Sequence, residues 1–122
     1  MKLLIVDDSN IMRRAIEKYL ANKQFTLVGT AADGEAALQL FAKHLPDLVT
    51  LDITMPRMDG LACLDKMLKL KPDVKVLIIS ALKDPATGIQ ALKKGAKGFL
   101  SKPFTEPQLQ REIDEIIRVK TV

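Results

Sequence analysis

Five short apolar runs recur along the chain, and between them apolar residues return at helical spacing. The runs cover residues 2–6, 25–31, 48–52, 74–79 and 98–101. Each is bounded by polar, glycine or proline residues, the punctuation expected of strands. Leu48-Val49-Thr50-Leu51-Asp52 shows little alternation, so it reads as a strand buried on both faces. The run at 25–31 is weakened by Gly29. Ile11, Met12, Ala15, Ile16, Tyr19 and Leu20 define the apolar face of a first helix, capped by Ser9 or Asn10, with Arg13, Arg14, Glu17 and Lys18 opposite. Ala37, Leu38, Phe41 and Leu45 carry a second helix from the Asp33-Gly34 turn to Pro46, with His44 at its solvated end. Leu61, Leu64 and Leu68 carry a third, with Lys66, Lys69 and Lys71 outside. Ile89, Leu92 and Ala96 give a fourth, entered through Asp84-Pro85 and poorly formed around Gly88. Thr105 and Gln108 form a capping box for the last helix, whose core side is Leu109, Ile113, Ile116 and Ile117. Strands alternating with helices predict an α/β domain, a parallel sheet covered on both faces and joined by right-handed crossovers.

Composition bounds the picture without redirecting it. A length of 122 residues suits one domain over 1–122 with one real core. With 48% apolar and 28% charged residues the balance is that of a water-soluble domain. No apolar run approaches the roughly 18 residues of a membrane span. Asp7 and Asp8 interrupt the N-terminal run too early for a signal peptide, so a cytoplasmic location is expected. Cys63 is the single cysteine and lies in an apolar helical pattern, as a core residue would. The net charge of +4 comes from lysines spread over many segments with few aromatics between them, so nucleic-acid binding is not expected of this domain alone.

The chemistry gathers at the strand ends. Asp7 and Asp8, Asp52, Ser80 and Lys102 each close an apolar run, and a parallel sheet brings such ends to one edge. Polar strand ends are common taken singly; together on one edge they make a site. If the first and third strands are neighbours, their acidic ends meet where the strand order reverses. Packed carboxylates repel and call for a cation. Oxygen ligands without His or Cys suggest Mg2+. Lys102 adds a positive charge and Ser80 a hydroxyl, so an anion is expected beside the metal, and phosphate fits best.

These residues resemble the receiver domain of bacterial two-component response regulators. The motifs are Asp7-Asp8, Asp52 followed by Met55-Pro56-Arg57-Met58-Asp59-Gly60, Ser80-Ala81, and Lys102-Pro103-Phe104. The likeness spans essentially the whole chain and is strongest to the stand-alone chemotaxis regulators of that family. It implies a flavodoxin-like (βα)5 three-layer sandwich with strand order 2-1-3-4-5. It implies that Asp52 is the phosphoacceptor of a histidine kinase. Asp8 and Asp52, with the backbone carbonyl of Thr54, are implied to ligate Mg2+, and Asp7 to position metal-bound water. Lys102 is implied to contact the phosphoryl group and Ser80 to move to bind it. Phe99 takes the switch-aromatic position and turns inward with Ser80. The Lys102-Pro103 bond is expected to be cis.

The implied partners are a histidine kinase, a downstream protein such as a flagellar switch component, and a phosphatase; a monomer is expected. The chain ends just after the last helix, so no output domain is expected. Thr54 and Leu82 occupy positions that tune water access to the acyl phosphate in the family. Leu82 offers no polar group, so slow self-dephosphorylation is the expectation. Phe99 stands where a tyrosine would add a hydroxyl. Lys83, Lys93, Lys94, Lys97 and Lys102 cluster near the fourth helix and fifth strand, which predicts an acidic partner segment.

Beyond a stand-alone chemotaxis regulator, the other readings are the receiver of a longer DNA-binding regulator and a phosphorelay carrier. An aspartyl-phosphate phosphatase would usually carry an acid where Thr54 stands. A flavin-binding domain would need glycine, serine or threonine where Asp7-Asp8 stands. The reading is therefore of a non-enzyme, with self-catalysed phosphotransfer and dephosphorylation only.

Overall fold

The computed structural model describes residues 1–21, 25–54, 60–81 and 85–118. Strands β1 (Lys2–Val6), β2 (Thr26–Ala31), β3 (Leu48–Asp52), β4 (Lys75–Ser80) and β5 (Gly98–Ser101) alternate with helices α1 (Asn10–Leu20), α2 (Gly34–His44), α3 (Gly60–Leu70), α4 (Pro85–Lys94) and α5 (Glu106–Ile117). The strands form one parallel sheet in the order β2-β1-β3-β4-β5. This is the flavodoxin-like arrangement, with its reversal between β1 and β3.

Side-chain alternation splits the core into two layers. Leu4, Val6, Val49, Leu51, Val76 and Ile78 pack under α2, α3 and α4, with Phe41, Leu64 and Met67 coming from the helices. Leu3, Ile5, Leu48, Leu77 and Ile79 face α1 and α5, where Ile16, Leu20, Leu109 and Ile113 meet them. β3 is buried along its whole length, because helices cover both of its faces. Phe41 is fully buried, which alone contributes about 2–3 kcal/mol. Cys63 is buried in the α2–α4 layer, and burial pushes its thiol up to about 11.

Ser9 caps α1, Asp33 caps α2, and the Thr105–Gln108 box opens α5. The Lys102-Pro103 bond is cis. Gly60 opens α3 where the chain doubles back after β3. A Cβ there would stand 2.5 Å from the Ile53 Cα, a backbone atom that cannot yield.

Helix phase differs from the sequence pattern at three places. Ile11 is 81% exposed, because the buried ridge of α1 runs through Met12, Ile16 and Leu20, and Ile11 lies on the flank with Ala15 and Lys18. Leu45 falls beyond α2 as its left-handed C-cap (φ 46°), exposed rather than in the core. In α4 the buried positions are Gly88 and Ala91, while Ile89 and Leu92 point outward, 51% and 44% exposed. The helix is continuous across Gly88.

At the amino edge of the sheet Asp47 gathers several elements. Its carboxylate accepts from the Lys2 N–H (2.8 Å) and from Lys71 Nζ (3.0 Å). Its own backbone N–H donates to the Lys2 carbonyl and its carbonyl accepts from the Lys75 N–H. Lys71 also donates to the Leu45 carbonyl (3.0 Å), and Lys2 Nζ to that of His44 (3.2 Å). These donors hold the Asp47 carboxyl below its ordinary 3.8, the Lys2 N–H contributing most.

Candidate functional site

The opposite, carboxyl edge collects the chemistry. In register, Val6 pairs Leu51 across the switch point, so the next residues, Asp7 and Asp52, come side by side. Both are buried, at 0% and 1% exposure, and alternation puts them on the α1/α5 side of the sheet. Asp8 follows on the exposed rim. Carboxylate oxygens of Asp7, Asp8 and Asp52 lie within 4.8 Å of one another.

Lys102, just past β5, crosses the edge to reach them. Its Nζ lies 2.8 Å from Asp7 Oδ2 and 3.2 Å from Asp52 Oδ2. The Asp52 contact is a hydrogen bond, whereas the Asp7 contact is off the hydrogen-bond direction and leaves buried Oδ2 without an aligned donor. Asp7 Oδ1 accepts from the Ser9 N–H at 2.9 Å. Burial pushes the Asp7 carboxyl above 3.8 against the pull of Lys102 and the Ser9 N–H, and the Asp52 charge adds to the rise. Burial alone would lower the Lys102 ammonium, but the two carboxylates outweigh it and hold it above 10.5.

Among the described residues, Asp7 and Asp52 thus share the Lys102 ammonium, with Asp8 beside them. A buried oxygen without an aligned hydrogen bond, an all-oxygen donor set and an open rim at Asp8 fit a hard divalent cation. Asp7, Asp8 and Asp52 are the side chains that could hold it.

Thr54 carries the main feature that residue patterns do not reveal. Its backbone N–H (2.8 Å) and its hydroxyl (2.5 Å) both donate to Asp52 Oδ1. One carboxylate oxygen is therefore locked by a local turn and the other faces Lys102. Arg13, placed by its spacing on the solvent face of α1, instead donates to the Asp7 carbonyl at 2.6 Å and so fixes the end of β1. A Thr two residues after an Asp is a turn signal that could have indicated the first contact. No spacing rule indicates the second.

Ser80 is buried at the end of β4, one residue beyond Ile79, the register partner of Asp52. Alternation puts it on the α3/α4 side, the side of Phe99. The ring of Phe99 is half-buried and packs into that layer. Residues 55–59, Leu82, Lys83 and Asp84 lie outside the described residues. The basic cluster near α4 is thinner than its lysine count, since Lys94 pairs with Asp65 (3.1 Å) and Lys102 is drawn into the acid site. Lys93 and Lys97 remain exposed.

The sequence matches the response regulator receiver domain over residues 3–114. The chain belongs to that family. This receiver is 39% identical to the chemotaxis protein CheY of Listeria monocytogenes over 115 residues, covering 94% of this chain and 97% of the relative. It is also 39% identical to a probable transcriptional regulator, ycf27, of Guillardia theta, covering 96% of this chain and 45% of that longer relative. Among solved structures, the CheX-CheY-BeF3-Mg+2 complex from Borrelia burgdorferi superposes with a TM-score of 0.92 at 35% identity, covering 98% of this receiver and 90% of that chain. Receiver domains of this kind are signalling modules that bind Mg2+ at an acidic pocket, and this receiver carries the Asp7, Asp8 and Asp52 cluster. Among the described residues no helix is long and apolar enough to cross a membrane.

Proposed function

We propose that residues 1–122 form a single-domain response regulator, phosphorylated on Asp52 by a histidine kinase with Mg2+, whose acyl phosphate changes affinity for a downstream partner. The observation that carries this reading is the convergence of Asp7, Asp8 and Asp52 within 4.8 Å, with Lys102 Nζ 3.2 Å from Asp52.

In the reaction, an Asp52 oxygen attacks phosphorus as the phosphorus–nitrogen bond of a phosphohistidine breaks and the electron pair leaves with the imidazole. Such transfer needs positioning and charge neutralisation more than covalent chemistry. Thr54 holds the Asp52 carboxylate plane through Oδ1. Lys102 shifts its ammonium from the carboxylates to the phosphoryl oxygens. Ser80 donates to the acyl phosphate, and Phe99 follows it inward. Asp8, Asp52 and the Thr54 carbonyl would hold the ion, and Asp7 would order water beside it. Mg2+, when bound, supplies charge neutralisation at the phosphoryl oxygens. A new anion with three acceptors gives Ser80 and Lys102 a differential reason to prefer one loop arrangement, the minimum for a two-state switch.

Near-complete coverage of CheY relatives favours chemotaxis, with a cytoplasmic monomer acting on a partner such as a flagellar switch component, and a phosphatase resetting it. The match to part of longer regulators keeps the receiver of a DNA-binding protein as the second reading. Exposed Lys93 and Lys97 favour an acidic partner segment, whose binding weakens with salt.

The test is acetyl phosphate with Mg2+ on the natural protein and on Asp52→Asn, read by intact-mass spectrometry, with beryllofluoride followed by NMR in parallel. The natural protein gains one phosphoryl group and the variant gains none. If neither reagent acts, or if the variant responds equally, the proposal fails.

A further inference from the structure

Gly88 stands inside α4, where a glycine weakens a helix relative to alanine. It is buried, while its neighbour Ile89 is 51% exposed. A Cβ at this position would stand 2.9 Å from Phe99 Cε2, 3.0 Å from Cδ2 and 3.4 Å from Cζ. The edge of the ring therefore lies directly against the backbone of α4. A phenyl ring is rigid and turns only as a whole about two torsions, so it cannot yield locally to a new methyl group. The smallest residue of α4 covers the ring, and its large apolar residues point away from the sheet.

The ring is also close to the chemistry along the sheet. Phe99 pairs Ile78 in register, two residues before Ser80, and β5 runs on to Lys102. A rearrangement of Ser80 and Lys102 about an acyl phosphate reaches the ring through β4 and β5. It reaches α4 through the contact at Gly88.

We infer that Gly88 is the seat of the Phe99 side chain, and that the ring in this seat couples β5 to α4. This rests on the phosphorylation reading given above. A methyl group in the seat would displace the ring, and a displaced ring changes the cost of rearranging Ser80 and Lys102 about an anion. Gly88 is a positioning residue, acting through Phe99. The exposed pair Ile89 and Leu92 rides on the same helix and moves with it.

The experiment is a double-mutant cycle with Gly88→Ala and Phe99→Leu, read in two ways. If Gly88 were an ordinary helical glycine, alanine would raise Tm by about 3 °C in both backgrounds. A seat predicts a lower Tm for Gly88→Ala alone and a higher one when Phe99→Leu has cleared the space. The second reading is the apparent affinity for beryllofluoride with Mg2+. Gly88→Ala changes it by about fivefold or more, and the effect vanishes in the Phe99→Leu background. A purely structural glycine would move Tm and leave that affinity alone. Equal Tm gains in both backgrounds, or an unchanged affinity, overturn the seat. If the natural protein ignores beryllofluoride while the thermal cycle shows coupling, the phosphorylation reading fails and the switching role of Gly88 falls with it. If the natural protein responds and the cycle is additive, the seat alone fails.

Discussion

The two edges of the sheet set carboxylates against donors in different proportions. At the amino edge Asp47, half-exposed, is met by Lys71 and the Lys2 N–H, and its carboxyl is held below the ordinary value. At the carboxyl edge Asp7 and Asp52 are buried with Asp8 beside them, Lys102 is the one cation in contact with Asp7 and Asp52 among the described residues, and Asp7 is raised. The amino edge is saturated and acts as a staple between β1, β3 and the ends of α2 and α3. The carboxyl edge is under-compensated, which costs stability and leaves room for a cation and an anion. Placing acids in excess of donors is what separates a binding edge from a structural one.

Removing the cation that contacts both Asp7 and Asp52 should have the largest effect. Lys102→Met leaves two buried carboxylates uncompensated, and a loss of about 2–3 kcal/mol is expected in urea unfolding without divalent ions, somewhat less than for a fully enclosed pair because Lys102 is 16% exposed. Added Mg2+ should recover part of that loss, more than it adds to the natural protein. No difference between the edges would remain if Lys71→Met cost as much.

Next come the matched acid-to-amide changes, which should differ in sign. Asp7→Asn removes a repelled, buried charge and is expected to stabilise by about 1 kcal/mol at neutral pH while weakening Mg2+ binding. Asp7 has a raised folded-state value, so its cost is absent below the unfolded value. That cost grows as pH rises toward the folded value and is complete above it. The gain from Asp7→Asn should follow the same course in a pH series of melts.

The smallest expected effect is that of Asp47→Asn, a loss of about 0.5–1 kcal/mol at neutral pH. Its folded-state value is lowered, so the stabilisation is complete above the unfolded value and disappears as pH falls through the folded one. The variant and the natural protein should converge in acid. A gain from this change, or a loss from Asp7→Asn, would erase the contrast between the edges.

Strands and the acid triad were legible in the sequence because each depends on one-dimensional pattern. Apolar runs mark β1 to β5, and a parallel sheet must bring Asp7, Asp8 and Asp52 together once β1 and β3 adjoin. Helix phase was less legible, because periodicity ranks residues by apolar size rather than by the space beneath them. In α4 the ring of Phe99 fills that space, so Gly88 and Ala91 turn inward and Ile89 and Leu92 turn out. The Arg13 contact on the Asp7 carbonyl depends on a placement that no spacing encodes, whereas the Asp52–Thr54 turn leaves only a local signal. Asp47 read as an ordinary residue between Pro46 and a strand, since its partners lie far off in sequence at Lys2 and Lys71.

Cys63 has a practical consequence. It is the sole cysteine, is fully enclosed beneath α3, and has a thiol pushed up to about 11, so it resists alkylation at neutral pH while the helix stays docked. Thiol labelling then becomes a clock for excursions in which α3 lifts from the sheet, while the α1/α5 layer stays silent. Any ligand that slows that clock from the carboxyl edge reports how firmly the two layers are tied together.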